Sequence, residues 1–322
     1  MKNCFVVLVI LFALNNSIKA HGAELASIEI HGFISQGYLL SNENNYLADS
    51  EEGSFQFSEM GINFGKNLTD SLRLGLQIFS RDLGDTGDNE VEIDWAYGDY
   101  RWQDWLGLRA GLVKMALGLY NETRDIDLLR TCILLPQSVY IETSRDYYTR
   151  MWGAEIYGEI SLRIFGSISY RFLMGTYTPD SEKSGLTKFV KNNTPFDVES
   201  VDYDNGIQYN GSLQWHTPVN GLRLSVTSWK QDNMTLYFQN SQALGPEIPA
   251  NIKWETELEN LATVFSAEYI WEDLIIAAEY RFRKTSSLVK NLAPEDSYKS
   301  EAYYAGAAYR ITKYFELGTY YS

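Results

Sequence analysis

The sequence predicts an all-β fold, a transmembrane antiparallel up-and-down β-barrel whose long third loop folds into the pore. Segments such as Leu72-Arg73-Leu74-Gly75-Leu76-Gln77-Ile78 and Leu222-Arg223-Leu224-Ser225-Val226-Thr227 alternate apolar with polar or small residues. That is the period of a strand with one apolar and one polar face. The segments are joined by connections that are alternately short and long, the layout of a barrel with tight turns at one rim and large loops at the other. Beyond residue 20 no apolar run approaches the roughly 20 residues of a spanning helix.

The first 20 residues read as a cleaved signal peptide. Lys2 supplies a positive start, Phe5 to Leu14 is apolar but short, and Ser17-Ile18-Lys19-Ala20 offers a small residue before His21. Residues 21–322 are then one barrel domain. Strands are expected over 27–40, 54–66, 71–81, 89–101, 106–114, 147–158, 162–176, 205–216, 221–230, 259–271, 274–284, 300–310 and 315–322. The tight turns fall at 67–70, 102–105, 159–161, 217–220, 272–273 and 311–314. The longer pieces lie at 41–53, 82–88, 115–146, 177–204, 231–258 and 285–299.

Periodicity alone does not choose the lipid face, because a soluble barrel carries the same alternation turned inside out. The polar faces hold Arg73, Arg81, Arg109, Arg163, Arg171, Arg223, Arg281 and Arg283, costly against lipid but at home along a wet lumen. Tyr100, Trp102, Trp105, Tyr157, Trp215, Trp271 and Tyr314 crowd the turn-proximal ends, where an interfacial aromatic girdle would sit. Thirteen strands is an odd count, and bacterial single-chain barrels are even. Unpaired edges in lipid are not tolerated. The expectation is a 16-stranded natural barrel whose C-terminal strands lie beyond Ser322; the alternative is 14 strands, one of them hidden within 132–143 or 177–204.

The net charge of −15 argues against nucleic acid as a partner. It suits loops facing lipopolysaccharide if divalent cations bridge the two, or simply keeps an exported chain soluble. After processing Cys132 is the remaining cysteine, so no intramolecular disulfide is possible; it reads as a small apolar residue of the third loop. His21, His31 and His216 have no serine, acid or metal-ligand spacing around them. Neither an enzyme nor a cofactor is expected. Asp82, Asp85 and Asp88 form a weak candidate loop for an oxygen-ligated cation, with a solvated acidic loop as the alternative.

The third long connection differs from the others. Ile126, Leu128, Leu129, Ile133, Leu134 and Leu135 make it too apolar to hang in water, and such a loop must pack on something. Folded onto the inner wall it would narrow the pore, where rings of charge and radius decide selectivity. Lys114, Arg109, Arg124, Arg130 and Arg145 would form the positive side of the constriction, and Glu122, Asp125 and Asp94 the negative side. Arg73, Arg163, Arg171, Arg223, Glu279 and Arg281 would line the lumen. The alternatives are a lid over the outer mouth or a contact between protomers. The lumenal charges would set up a transverse field, or pair as salt bridges supporting the wall.

Ile30-His31-Gly32-Phe33-Ile34-Ser35-Gln36-Gly37-Tyr38, Asp94-Trp95-Ala96, Trp105-Leu106-Gly107-Leu108-Arg109-Ala110-Gly111, Gly118-Leu119-Tyr120-Asn121-Glu122 and Leu135-Pro136-Gln137-Ser138-Val139-Tyr140 resemble Gram-negative outer-membrane porins. The resemblance is to the group loosely related to the phosphate-selective O/P-type porins. It covers most of the first 160 residues and continues as strand pattern. It implies a 16-stranded homotrimeric channel in the outer membrane, among lipid and lipopolysaccharide, passing small hydrophilic solutes or ions with loop three in the pore. Phosphate-selective members use lysines at the constriction, whereas this chain offers mostly arginines mixed with carboxylates. The alternative reading is a plugged barrel acting as a surface adhesin or structural protein.

Overall fold

The computed structural model describes residues 10–14 and 28–322, apart from 85, 127–129, 195–196, 205, 244–249 and 291–295. The strands are β1 (Ile10–Leu14), β2 (Ile28–Gln36), β3 (Ser58–Asn67), β4 (Leu72–Asp82), β5 (Glu90–Gln103), β6 (Leu106–Lys114), β7 (Arg150–Ser161), β8 (Ser167–Thr176), β9 (Val198–Asp204), β10 (Ile207–His216), β11 (Leu222–Asn240), β12 (Lys253–Trp271), β13 (Leu274–Val289), β14 (Asp296–Thr312) and β15 (Phe315–Tyr321). Two short helices lie in the connections, α1 (Arg145–Thr149) and α2 (Gly185–Asn193). All strands belong to one antiparallel sheet in chain order, except that β9 leaves the path and pairs with β11. The sheet is not closed: β1 and β15 stand at its two edges among the described residues, and because β1 falls within the expected signal segment 1–20, cleavage there would leave β2 as the edge.

Each of the thirteen strands expected from residue 27 onward is present. The short and long connections alternate without exception from β2 to β15, so neighbours are joined like the teeth of a comb. The hidden strand sought within 177–204 exists as β9, but it braces the outer end of β11 rather than adding a stave. Its neighbour α2 begins at Ser184, whose side chain accepts from the Thr187 N–H as an N-cap. The 231–258 connection is mostly ladder, because β11 and β12 pair on out to Gln239 and Lys253.

Side-chain parity runs through the sheet without conflict. On β4, Leu74 and Leu76 are 46% and 36% exposed, while Gln77 and Arg81 are 2% and 4% exposed. The ladder carries the same sides across, setting Arg73 opposite Asp99, Ser212 opposite Arg171, Thr227 opposite Ser212, and Glu279 opposite Ser266. Outward positions are apolar: Ile34, Ile62, Leu74, Ile93, Leu108, Ile156, Phe172, Leu213, Leu224, Phe265 and Ile276 are all exposed. Inward positions are polar and buried, including Ser35, Glu59, Asp94, Glu155, Gln208, Asn210, Glu268 and Glu279. A grease-out, polar-in wall suits lipid outside and is the reverse of a soluble barrel.

Two expectations at the turn rim are corrected. Arg163 does not line the lumen. Its backbone sits at φ 56 in a short 3-10 turn over Arg163–Phe165, and its side chain is exposed. Gly166 at φ 84 completes that turn, so β7 runs to Ser161 and β8 begins at Ser167. The apolar-polar alternation of Leu162-Arg163-Ile164 is therefore turn, not strand. Tyr157 faces inward, donating to Asp99 2.5 Å away with the Arg109 guanidinium over its ring, and so leaves the girdle. Tyr100, Trp102, Trp105, Trp215, Trp271 and Tyr314 remain exposed at that rim.

Parity yields a direct prediction. Leu76→Arg should lower the unfolding free energy of the bilayer-inserted protein by about 2–4 kcal/mol, measured by denaturant titration in vesicles. An unchanged value would place Leu76 in an aqueous bore.

Candidate functional site

The connection from β6 to β7, residues 115–149, folds inside the sheet and touches inner faces on both sides. It leaves β6 after Lys114 and needs Gly118 to do so. Gly118 has φ 65, and a Cβ there would meet the Tyr140 hydroxyl at 2.5 Å and Glu279 Oε1 at 2.6 Å. Only a glycine lets the backbone lie that close to the wall in that conformation.

On the far wall the contacts go largely to backbone. Asn210 of β10 clamps Ala116, accepting from its N–H at 2.9 Å and donating to its carbonyl at 2.8 Å. The Gly118 N–H donates to Thr227 Oγ1 of β11 at 2.8 Å, and the Leu119 N–H to Glu279 Oε1 of β13 at 2.8 Å. Glu279 also accepts from the Tyr140 hydroxyl and from Ser266 Oγ at 2.6 Å. Further round, Thr131 donates to Glu316, and Tyr320 of β15 donates to the Leu134 carbonyl at 3.2 Å. Tyr147 and Tyr148 of α1 meet the buried Trp229 ring edge-on. Met115, Leu117, Leu135, Val139 and Tyr140 join Met151, Leu173, Val264 and Ala277 in one apolar cluster. Of the apolar loop residues evident in the sequence, Leu135 enters this cluster, Ile133 and Leu134 pack instead on Leu39, Ala48, Phe57 and Leu83, and Leu128 and Leu129 lie outside the described residues.

On the near wall the contacts are charged. Lys114 Nζ lies 2.8 Å from Asp94 and 2.5 Å from Asp125. Gln77 Nε2 donates to the same two carboxylates at 2.9 and 2.7 Å. Asp94 can join because a bulge leaves it without a partner residue on β4. Glu142 sits among three guanidiniums: Arg124 at 2.6 Å, Arg81 at 3.2 Å and Arg145 at 3.7 Å. Arg145 continues to Glu59 at 2.6 Å, and Arg81 to Asp146 at 2.8 Å. Arg150 pairs with Glu92 and lies 3.5 Å from Asp94. Arg171 pairs with Glu122, and with Glu155 at 2.6 Å.

Burial raises the Glu142 carboxyl, but Arg124, Arg145 and Arg81 outweigh it and hold the group down at about 2. Burial likewise raises Asp125, and Lys114 and Arg145 pull it below its ordinary range. Arg124 is lowered by burial, with Glu142 opposing.

The expected constriction set is thus brought together in part. Lys114, Asp94, Asp125, Arg124, Arg145 and Glu122 belong to the loop seat, but as paired charges, not as free rings. Arg109 stands apart on the turn side, bonded to Asp99 and Glu155 at 3.1 Å each. Five residues of strand, about 17 Å, separate it from Lys114. Arg130 serves the loop itself, donating to the carbonyls of Thr123 at 2.9 Å and Ile133 at 3.1 Å. Arg171, Arg223, Arg281 and Glu279 face inward, and so does Arg73, paired with Glu29 at 2.8 Å. Arg223 holds Glu268 at 2.9 Å. A simple split of arginines on one wall and carboxylates on the other is not seen, since the near wall mixes both signs in pairs. Cys132 is free and half-buried in the loop. Of the candidate cation loop, Asp82 accepts from the Gly84 N–H and from Asn89, and Asp85 lies outside the described residues. Among the described residues no cluster of His, Cys, Asp or Glu is placed to hold a metal ion.

Gln77, Asn210 and Thr227 escaped the sequence reading because uncharged inward residues carry no signal beyond parity. Arg150 was missed because it begins β7 where the sequence pattern places a strand already under way.

No family model matches the chain, and no curated protein sequence matches it. Solved structures similar to it are outer-membrane proteins. A loop L8 deletion mutant of OmpT from Vibrio cholerae is 10% identical, with 91% of this chain and 94% of that one covered at a TM-score of 0.39. OmpF of Salmonella typhi, in complex with daunomycin, is 11% identical over 89% and 86% at 0.42. The anion-selective porin of Comamonas acidovorans is 12% identical over 94% and 89% at 0.26. Identities and superpositions this low assign no function.

Two predictions test the seat. Glu142→Gln leaves the buried Arg124 without a carboxylate partner and takes one of two partners from Arg81 and from Arg145. It should loosen the loop by about 3–5 kcal/mol, read as faster proteolysis within 115–149 in an otherwise folded sheet. Protection equal to wild type would deny Glu142 this role. The pH response has a definite sign. A carboxyl held below its ordinary value of 4.5 contributes its full stabilisation above pH 4.5, and that is lost as pH falls through about 2. Loop protection should therefore persist down to pH 4.5 and fail between there and about 2; loss already at neutral pH would contradict the assignment.

Proposed function

We propose that the protein is an outer-membrane porin, exported through its N-terminal signal segment and working as a homotrimer among lipid and lipopolysaccharide. It forms a water-filled channel for passive diffusion of small hydrophilic solutes or ions. The observation that carries this reading is the inverted wall: exposed aliphatic and aromatic residues outside, charged and amide side chains inside, with a loop seated across the interior. Such a wall has no use in water, and a bare polar bore has none without solutes to pass. The loop acts as the constriction by occupying cross-section. Its own charges are consumed in pairs, so selectivity falls to inward groups left with water contact and no carboxylate partner, among them the half-buried Arg281 and Arg283. Phosphate preference is not supported by this residue set, because Lys114 is committed to Asp94 and Asp125.

One observation favours a second reading, a plugged barrel serving surface contact or structure: the loop reaches both walls and carries its own apolar cluster. Planar-bilayer recording on the full-length protein separates the two. The porin reading expects steady ohmic current from wild type, and a larger one from Gly118→Val, which cannot take up the φ of the seat. Silence from wild type with current from Gly118→Val would mean a plug.

A further inference from the structure

A cavity of about 10 Å³, on the scale of one water molecule, lies between the third loop and β13. Arg124, Arg281, Arg283, Asn121 and Tyr148 are among its lining residues. Arg124 is almost wholly buried; it spends its two terminal nitrogens on Asn121 at 3.3 Å and Glu142 at 2.6 Å. Its Nε is buried without an acceptor, and the same holds for Nε of Arg281. Among the described residues Arg281 otherwise donates only to the Val139 carbonyl at 3.3 Å, and Arg283 Nε donates to Thr285 Oγ1 at 3.2 Å.

Charge balance sharpens the point. Arg81, Arg124 and Arg145 are matched by Glu59, Glu142 and Asp146. Among the described residues no carboxylate lies within ion-pair distance of Arg281 or Arg283. Two guanidinium charges, neighbours on the inner face of β13, therefore face a small cavity beside a third guanidinium. A water molecule would satisfy stray N–H donors but would leave that charge uncompensated.

We propose that this cavity binds a small inorganic monoanion of halide size, chloride in ordinary media, clasped by Arg124, Arg281 and Arg283. The anion ties the loop to β13 at a point where Arg281 and Arg283 have no carboxylate partner among the described residues. Arg281 and Arg283 are half-buried, so the guest exchanges with water in the bore. The inference stands on the packing of the loop and does not require that the barrel conduct.

The test uses full-length protein refolded in detergent. Its unfolding temperature is followed as sodium chloride replaces sodium gluconate at constant ionic strength; gluconate is too large for the cavity. Chloride should raise the unfolding temperature saturably, as a ligand of the folded state does. In Arg281→Gln and Arg283→Gln the half-saturating chloride concentration should rise about 10- to 100-fold, the loss of one charge-assisted hydrogen bond. Lys313→Gln, at an exposed turn, should leave it unchanged. If Arg281→Gln does not refold, Arg281→Lys keeps the charge but loses the planar fork, and still weakens binding. Equal unfolding temperatures in chloride and gluconate would overturn the proposal, as would a chloride effect undiminished in the Arg283→Gln protein. Either result leaves bilayer currents, and the porin reading, untouched.

Discussion

A wall that shows its apolar side to lipid must turn its polar side inward, and every polar group buried there needs a partner. That constraint organises the whole interior. Strands β2 to β15 bring Glu59, Gln77, Arg81, Asp94, Asn210, Thr227 and Glu279 to the inner face. The third loop then supplies what the wall lacks. It offers charges to the near side and backbone N–H and C=O groups to the far side. Loop and wall are complementary in kind as well as shape. The near wall holds ionic residues and meets Arg124, Glu142 and Arg145; the far wall meets the bare backbone of Ala116 to Leu119 with the Asn210 amide, the Thr227 hydroxyl and the Glu279 carboxylate.

This division explains why the constriction differs from an open ring of charge. An inward arginine on a lumen wall is free to act on passing solutes only if no carboxylate claims it. Arg81, Arg145 and Arg150 are claimed by groups within a few ångströms. Arg281 and Arg283 are not, among the described residues, and Arg281 donates to the loop at the Val139 carbonyl. The near wall is thus built for holding the loop. The β13 wall keeps charge to spare.

Much of the fold was legible because a period of two, once set, propagates across a whole sheet through the ladder. Leu106–Lys114 came out residue for residue, since Gln103-Asp104-Trp105 and Met115 bound it tightly. The failures share a cause. Arg163 continued an alternation that the chain breaks with Gly166, and parity gives no warning of a turn made with left-handed backbone. The outer extensions of β11 and β12 carry Asn233, Thr235, Glu255 and Glu257, a polarity that reads as loop when strands rise beyond the lipid. At the site, the third loop's apolar residues announced that it folds inward. Which wall group would meet which loop group depended on register and on the bulge at Asp94, and neither is written in any short segment.

The central claim is that residues just after Lys114 cross the interior to β10 and β11. It is tested most directly by cross-linking Ala116→Cys to Asn210→Cys with a short bifunctional thiol reagent, in vesicle-embedded protein carrying Cys132→Ser. The account predicts rapid, near-complete coupling within one chain. No coupling, with the cysteine at 116 instead modified by a bulky reagent confined to the outer solution, would contradict it.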